Sequence, residues 1–203
     1  MDHNNILAAV LAGGKSKRFG KDKSQVKLGD KILIDYVLTE IIDFYKDILI
    51  VTNEPIKFLD SNKISLTSDI KKNLGPLGGV YSAMKWVRDN KKDYQWISTF
   101  PIDTPFFKKE YLIKFYKDVD LEKSNLFFMK SKNTRHNIFG LWSLELFEKL
   151  EVALKKGDRK VELWANKIGV KTIDFEHENN KDPFFNINTE KELETAKKLL
   201  NDD

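Results

Sequence analysis

The chain has 203 residues, of which 41% are hydrophobic, and this length and composition are typical of one substantial globular domain. The 35 lysine and arginine residues nearly balance the 31 aspartate and glutamate residues, and their scatter along the chain argues against a nucleic-acid-binding surface. The chain has no cysteine, no apolar run near the roughly 20 residues of a membrane span and no secretory signal pattern, so we expect a cytoplasmic protein without nucleic-acid or membrane partners.

Strand-like and helix-like patterns alternate along the first half of the chain. They predict a strand at 6–10, a helix at 34–44, a strand at 47–52, a short strand at 63–67, a helix at 76–87, a strand at 94–100 and a helix at 109–117. The later patterns predict strands at 125–129, 137–142 and 170–175 and helices at 144–155, 159–167 and 190–200. Since such alternation favours a parallel sheet with helices on both faces, we predict one Rossmann-like, three-layer α/β/α domain with a mostly parallel central sheet over residues 1–203.

The stretch 11–23 reads LAGGKSKRFGKDK and directly follows the first predicted strand. Three glycines and five cations fall between Gly13 and Lys23. Glycine lets backbone N–H groups approach a ligand closely, and cations neutralise phosphate charge, so the stretch predicts a polyphosphate-binding loop rather than a solvated connection. It matches neither the Walker P-loop nor the Gly-x-Gly-x-x-Gly pattern. Arg18 and Lys23 are the best candidates for phosphate contacts, whereas solvated positions remain the alternative for Lys15 and Lys17.

Informative residues follow each of the first four predicted strands. They are Gly13-Gly14 after the first strand, Asn53 after the second, Asp69 after the third and Asp103 after the fourth. Because the carboxyl ends of parallel strands meet at one edge of a sheet, we expect these loops to converge on one ligand site. Asp103, between two prolines, suits Mg²⁺ shared with phosphates, and a turn or helix cap is the alternative.

The segment 75–79 reads Gly-Pro-Leu-Gly-Gly and begins a predicted helix. Its N–H groups would hold an anion, or its glycines would serve tight packing of the helix on the sheet. Asp69 precedes it and would accept hydrogen bonds from a base or ribose, unless it is an ordinary loop residue. In so lysine-rich a chain, an arginine marks a site that needs a planar donor, although Arg88 is expected on a helix surface.

The stretch 11–23 resembles the signature of nucleotidyltransferases, and most closely that of the molybdenum cofactor guanylyltransferase family. Further motifs of that family follow in the same order along nearly the whole chain. They are Asn53, Asp69 ahead of 75–79, Asp103-Thr104-Pro105, Arg135-His136 and Asn186-Ile187-Asn188-Thr189-Glu190. Modest departures are the glycine pair Gly78-Gly79, where the family usually has one glycine, and Phe19, where methionine is common.

The resemblance implies a GT-A-like, nucleotide-diphospho-sugar transferase-like fold and Mg²⁺-dependent transfer of GMP from GTP to the terminal phosphate of molybdopterin, with or without bound molybdenum. Pyrophosphate would be the second product. Residues of about 1–107 would form a nucleotide-binding half and residues of about 108–203 an acceptor-binding half. Transient contacts with other cofactor-biosynthesis or molybdoenzyme-maturation proteins would follow.

The resemblance also implies individual roles. The residues that would bind GTP are Leu11, Ala12, Gly13, Gly14, Lys23, Asn53, Asp69, Gly78 and Asp103. The residues that would act in catalysis are Arg18, Lys23 and Asp103, with Asp103 as the metal ligand. The residues that would face the acceptor are Arg159, Asn186 and Asn188.

Two alternatives remain open at this point. One is a cytidylyl- or uridylyltransferase acting on another phosphorylated metabolite, since base choice depends on a few hydrogen bonds that spacing does not resolve. The pair Gly13-Gly14 resembles the guanylyl-transferring members. The other is a nucleotide-binding homologue without catalysis, against which the intact Lys23 and Asp103 argue.

Overall fold

The computed structural model describes residues 3–13, 26–58, 61–68, 74–176 and 182–201. The strands are β1 (Ile6–Leu11), β2 (Lys27–Leu28), β3 (Lys31–Ile32), β4 (Ile48–Val51), β5 (Ile64–Thr67), β6 (Trp96–Pro101), β7 (Leu126–Ser131), β8 (Thr134–Ser143) and β9 (Lys171–Phe175). The α-helices are α1 (Leu33–Ile41), α2 (Gly75–Asp89), α3 (Lys109–Asp118), α4 (Phe147–Lys155), α5 (Val161–Ile168) and α6 (Glu190–Asn201).

A seven-stranded sheet in the order β5-β4-β1-β6-β8-β7-β9 forms the centre of the described chain. The strands β5, β4, β1 and β6 run parallel to one another, β8 is antiparallel to both β6 and β7, and β9 is parallel to β7. Every residue of β1 and of β4 is buried, which explains why these strands read as continuous apolar runs. The prediction of a mostly parallel sheet is confirmed.

Helices cover both faces of this sheet. On one face, α2, α4 and α5 bury residues that include Leu77, Leu150 and Trp164 in a core shared with β1. On the other face, α1 and α3 bury residues that include Val37 and Phe115 in a second core. The alternation of side chains along a strand sends successive residues into these two cores. The predicted three-layer arrangement is therefore confirmed.

A smaller core lies between the hairpin β2–β3 and helix α6. Its buried members are Val26, Leu28, Leu33, Phe106, Ile187 and Ala196. Sequence analysis did not predict the hairpin, because each of its strands has only two residues and neither shows an alternating pattern. This core therefore ties residues 26–33 to the carboxyl-terminal helix.

Several boundaries differ from the sequence predictions by a few residues, and α1, for example, ends at Ile41 instead of residue 44. Residues 144–146, predicted as the start of a helix, form a separate 3₁₀ turn before α4. Strand β8 begins at Thr134 instead of residue 137. An irregular register with β7 interrupts its periodicity. Among the described residues, no helix has both the length and the apolar character needed to cross a bilayer.

Candidate active site

A cavity of about 190 Å³ opens at the carboxyl edge of the parallel strands. Its lining comprises Leu11, Gly13, Val51, Gly75, Pro76, Gly79, Pro101, Asp103, Ile138 and Asn186. Leu11, Val51 and Pro101 are the last residues of β1, β4 and β6. Of the residues predicted to converge here, Gly13 and Asp103 line the cavity, Asn53 is not among its lining residues, and Gly14 and Asp69 lie outside the described residues.

The start of helix α2 forms one wall of the cavity. Gly75 has a φ of +66°, a left-handed conformation that a side chain would strain. A Cβ added to Gly79 would lie 3.2 Å from Cδ2 of Leu11, so the missing side chain allows α2 to approach β1 closely. Leu74, the N-cap residue, supplies no side-chain hydrogen bond to the helix start. The positive end of the helix dipole therefore lies at the cavity without a side-chain cap.

The two glycines of the pair 78–79 have different positions. Gly79 lines the cavity, whereas Gly78 is buried within α2 and its carbonyl accepts a hydrogen bond of 2.9 Å from Oγ of Ser82. Sequence analysis chose Gly78 as the nucleotide-binding residue. Gly78 is not among the residues that line the cavity, and its contact with the nucleotide stays a prediction.

Asp103 lies in the cavity just beyond β6 and is only 9% exposed. Its main-chain carbonyl accepts a hydrogen bond of 2.9 Å from the N–H of Ile187. The adjacent Thr104 is 2% exposed. Among the described residues, no group of three or more histidine, cysteine, aspartate or glutamate side chains has the geometry to hold a metal. One buried carboxylate fits Mg²⁺, because this ion keeps water molecules and phosphate oxygens as its other ligands. It does not fit an ion that needs all of its ligands from the protein.

The segment 186–188 passes the cavity on the other side of Asp103. Ile187 is fully buried, while Asn186 and Asn188 are exposed, so the extended chain presents both amides away from the core. Asn186 lines the cavity. The N–H of Asn188 donates to Oε2 of Glu192 at 2.7 Å, and this contact ties the segment to the first turn of α6.

The main chain of Arg159 lies beside the start of α2. Its carbonyl oxygen would be 3.4 Å from a Cβ at Gly75. Its guanidinium Nη1 donates to the carbonyls of Leu154 and Asp158 at 3.0 and 2.7 Å, which satisfies the carboxyl end of α4. The half-buried Arg159 is therefore near Gly75, but it is not among the lining residues of the cavity, and its predicted contact with the acceptor stays a prediction.

The remaining predicted residues fall into two groups. Ala12 and Gly13 follow β1 at the sheet edge, and Asn53 is exposed just after β4. Ala12 is held there by a hydrogen bond of 2.9 Å from its N–H to the carbonyl of Val51. Outside the described residues lie Gly14, Arg18, Lys23 and Asp69. Their roles stay predictions.

The other arginines join elements of the fold. Nε and Nη1 of Arg135 donate to the amide oxygens of Asn137 and Asn166 at 2.7 and 2.8 Å, and so connect β8 to α5. Arg88 is exposed on α2, as expected, and forms an ion pair of 2.6 Å with Glu148. Sequence analysis did not identify Ile138, which lines the cavity and lies outside the family motifs.

Comparison with known proteins places this arrangement in a family. Residues 8–168 match the MobA-like NTP transferase domain. A molybdenum cofactor guanylyltransferase from Rhizobium rhizogenes is 31% identical, over 98% of this chain and 94% of the relative. One from Nitrobacter hamburgensis is 28% identical, over 94% of this chain and 92% of the relative.

A solved structure has the same fold. The molybdopterin-guanine dinucleotide biosynthesis protein A of Archaeoglobus fulgidus superposes with a TM-score of 0.74 at 24% identity, over 97% of this chain and all of that one. The family resemblance read from the motifs is confirmed by the domain match and by the identity over nearly the full length. The chain belongs to the MobA-like NTP transferase family.

Proposed function

We propose that this protein transfers GMP from GTP to the terminal phosphate of molybdopterin and releases pyrophosphate. The observation that carries the proposal is the cavity at the sheet edge, which combines the end of β1, the glycine-rich start of α2 and the buried carboxylate of Asp103. The full-length relatives named molybdenum cofactor guanylyltransferase support the same reaction.

The chemistry of this transfer suits a cavity with one ionisable side chain. Asp103 is the only titratable residue among the described lining residues. A phosphate monoester is already largely ionised near neutral pH, so the attacking group needs no strong general base. Catalysis then consists of aligning two anions and stabilising the charge that develops at the α-phosphate and the leaving pyrophosphate.

The cavity offers different surfaces to the two substrates. We assign the nucleoside to the side formed by Leu11, Val51 and Gly79, where apolar side chains and a glycine without a side chain would accept a flat base and a ribose. Asn53 and Asp69 would complete that side with hydrogen bonds. Gly13, Gly14, Arg18 and Lys23 would lie along the triphosphate, and Arg159, Asn186 and Asn188 would orient the acceptor.

Asp103 would hold Mg²⁺ in the proposed reaction. Bound there, the ion would neutralise phosphate charge and keep the α-phosphate oriented towards the acceptor. The carboxylate of Asp103 contributes a hard oxygen ligand from a buried position, and the backbone bond to Ile187 restricts its movement. We further propose that the reaction takes place in the cytoplasm.

The decisive experiment measures pyrophosphate release by the purified protein with molybdopterin, Mg²⁺ and GTP, CTP or UTP in turn. We expect turnover with GTP, a guanine dinucleotide product by mass spectrometry and loss of turnover on chelation with EDTA. Preference for CTP would replace the proposal by a cytidylyltransferase. Binding of GTP without turnover would indicate an inactive homologue.

A matched pair of variants makes this experiment specific. Asp103→Ala removes the proposed metal ligand, whereas Asp93→Ala removes an exposed carboxylate that precedes β6 at the opposite edge of the sheet. We expect the first variant to lose turnover and the second to keep it. Equal activities of the two variants would contradict the site.

A further inference from the structure

Strand β8 contains a bulge next to the cavity. Phe128 of β7 pairs with Gly140 of β8, but the next residue, Met129, pairs with His136. The three residues between them, 137–139, therefore have no partner on β7. Pairing of β8 with β6 also stops at Gly140, opposite Thr99. A bulge of this kind bends a strand and changes the direction of a side chain.

Gly140 allows the two strands to meet at the start of the bulge. A Cβ at this position would lie 2.3 Å from Cδ1 of Phe128 and 2.8 Å from the carbonyl oxygen of Phe127. Any other residue would collide with both. The glycine therefore permits the close approach of the two strands at which the bulge begins.

A buried hydroxyl holds the bulge in place. Thr99 of β6 is fully buried, and its Oγ1 donates to the carbonyl oxygen of Ile138 at 2.5 Å. Oγ1 of Thr99 in turn accepts a hydrogen bond of 2.8 Å from Nε1 of Trp142, which is also fully buried. The Thr99 hydroxyl therefore forms hydrogen bonds with both the carbonyl of Ile138 and the indole N–H of Trp142. Removal of this hydroxyl would leave the two groups without these bonds.

The neighbouring residue anchors the bulge from the opposite face. Phe139 is buried and stacks on Phe107 with ring centroids 4.6 Å apart. Ile138 packs against the core on the α2 side and lines the cavity. The hydrogen bond from Thr99 and the packing of Phe139 on the opposite face therefore hold Ile138 at the cavity wall.

The sheet order decides which substrate meets Ile138. Strands β4 and β1 lie on one side of β6, and β8 lies on the other. Asp103 comes directly after β6, the strand between β1 and β8. The loops after β1 and β4 therefore lie on one side of Asp103, and Ile138 of β8 lies on the other. Phe184, two residues before Asn186, packs against Phe139, the neighbour of Ile138, with ring centroids 5.2 Å apart. The segment that carries Asn186 therefore lies along β8, and both Asn186 and Ile138 line the cavity.

We propose that Ile138 is a specificity-determining residue that contacts the acceptor substrate, and that Thr99 is its positioning residue. The acceptor is a phosphorylated, fused pterin, whose ring system gains from an apolar wall beside the amide of Asn186. This inference rests on the proposed function, and it assigns the apolar wall at Ile138 to the acceptor instead of the nucleotide.

The test compares Michaelis constants for GTP and molybdopterin in four variants. Ile138→Ala is expected to raise the KM for molybdopterin on the order of tenfold, with the KM for GTP within about twofold of the original. Thr99→Val, which keeps the shape but removes the hydroxyl, is expected to act in the same direction. Thr99→Ser retains the hydroxyl and is expected to restore the original constants. Ile113→Ala, at an exposed position on α3, is the control.

The outcomes separate this inference from the proposed function. An unchanged KM for molybdopterin in Ile138→Ala, or a change confined to GTP, would overturn the inference while the activity stands. If the unmodified protein neither turns over nor binds molybdopterin by calorimetry, the proposed function fails and the inference fails with it. Should Thr99→Val not fold, Ile138→Ala and Thr99→Ser still decide the question.

Discussion

The main-chain N–H of Ile187 donates a hydrogen bond of 2.9 Å to the carbonyl oxygen of Asp103, and this bond joins the two sides of the cavity. The side chain of Ile187 is fully buried in the small core with Leu28 and Ala196. The segment that carries Asn186 and Asn188 is therefore fixed both to the carboxylate loop and to the hairpin after the glycine loop.

Truncation of Ile187 should affect both stability and acceptor binding. Ile187→Ala leaves a cavity in the small core, so we expect a loss of about 2–5 kcal/mol in the free energy of unfolding by urea titration. Ile187→Val should cost only about 0.5–1.5 kcal/mol. We also expect a higher KM for molybdopterin in the alanine variant, because Asn186 loses its support. A stable Ile187→Ala variant would show that this core does not anchor the segment.

Asp103 should contribute to turnover more than to folding. We expect Asp103→Asn to lower kcat by about 10²–10³, since a neutral amide is a poor Mg²⁺ ligand and the phosphate charge is then less well compensated. Stopped or steady-state assays of pyrophosphate release check the rate, and calorimetry with GTP and Mg²⁺ checks metal-dependent binding. Turnover within a factor of three of the original would exclude Asp103 as the metal ligand.

Gly140 should tolerate no side chain. We expect Gly140→Ala to destabilise the protein by about 1–3 kcal/mol or more, because the new Cβ collides with the ring of Phe128 and with a backbone carbonyl. Thr134→Ala, at an exposed position on the same strand, serves as the control and should change stability by less than about 0.5 kcal/mol. Urea unfolding of both variants measures the difference. Equal midpoints would mean that β8 shifts to accommodate the methyl group.

Substitution of Gly79 should affect nucleotide binding more than the stability of the protein. In Gly79→Ala the new methyl group lies 3.2 Å from a flexible end of Leu11, and the gain in helix propensity offsets the small displacement. We expect the free energy of unfolding to stay within about 1 kcal/mol, while the KM for GTP rises because Leu11 moves into the cavity. An unchanged KM for GTP would place the nucleotide away from the start of α2.

The stability of the protein should fall at alkaline pH partly through Tyr81. Burial, followed by the hydrogen bond of 2.8 Å to Glu151, raises the pKa of Tyr81 to about 12. A tyrosine of the unfolded chain ionises at about pH 10. The unfolded state thus loses this proton first, and the contribution of Tyr81 declines as the pH rises from about 10 to 12.

Two variants isolate this contribution. Tyr81→Phe should weaken the pH dependence of the unfolding free energy between pH 9 and 11, and Glu151→Gln should lower the pKa of Tyr81 in an ultraviolet titration of tyrosinate. The other tyrosines also have raised pKa values, so the comparison with the unmodified protein is essential. A pH profile that is identical in Tyr81→Phe would contradict the assignment.

Local patterns were sufficient for much of the fold and for one side of the cavity. The continuous apolar runs of β1 and β4 could only be buried strands, and Gly13 and Asp103 come directly after strands whose ends meet in a parallel sheet. That Gly79 lines the cavity could not be predicted, because the direction in which a helical residue faces depends on how the helix packs on the sheet. The hairpin β2–β3 was missed because two-residue strands have no periodicity.

The amino-acid sequence by itself determined the layered α/β architecture, the edge at which the loops converge and the family, because strand burial, helix periodicity and the glycine-rich signature are properties of neighbouring residues. Only the tertiary structure decided that Ile138 lines the cavity and that Ile187 supports Asp103. Thr99 and Ile138 are distant in the chain, and the hydrogen bond that joins them exists only once β6 and β8 lie side by side.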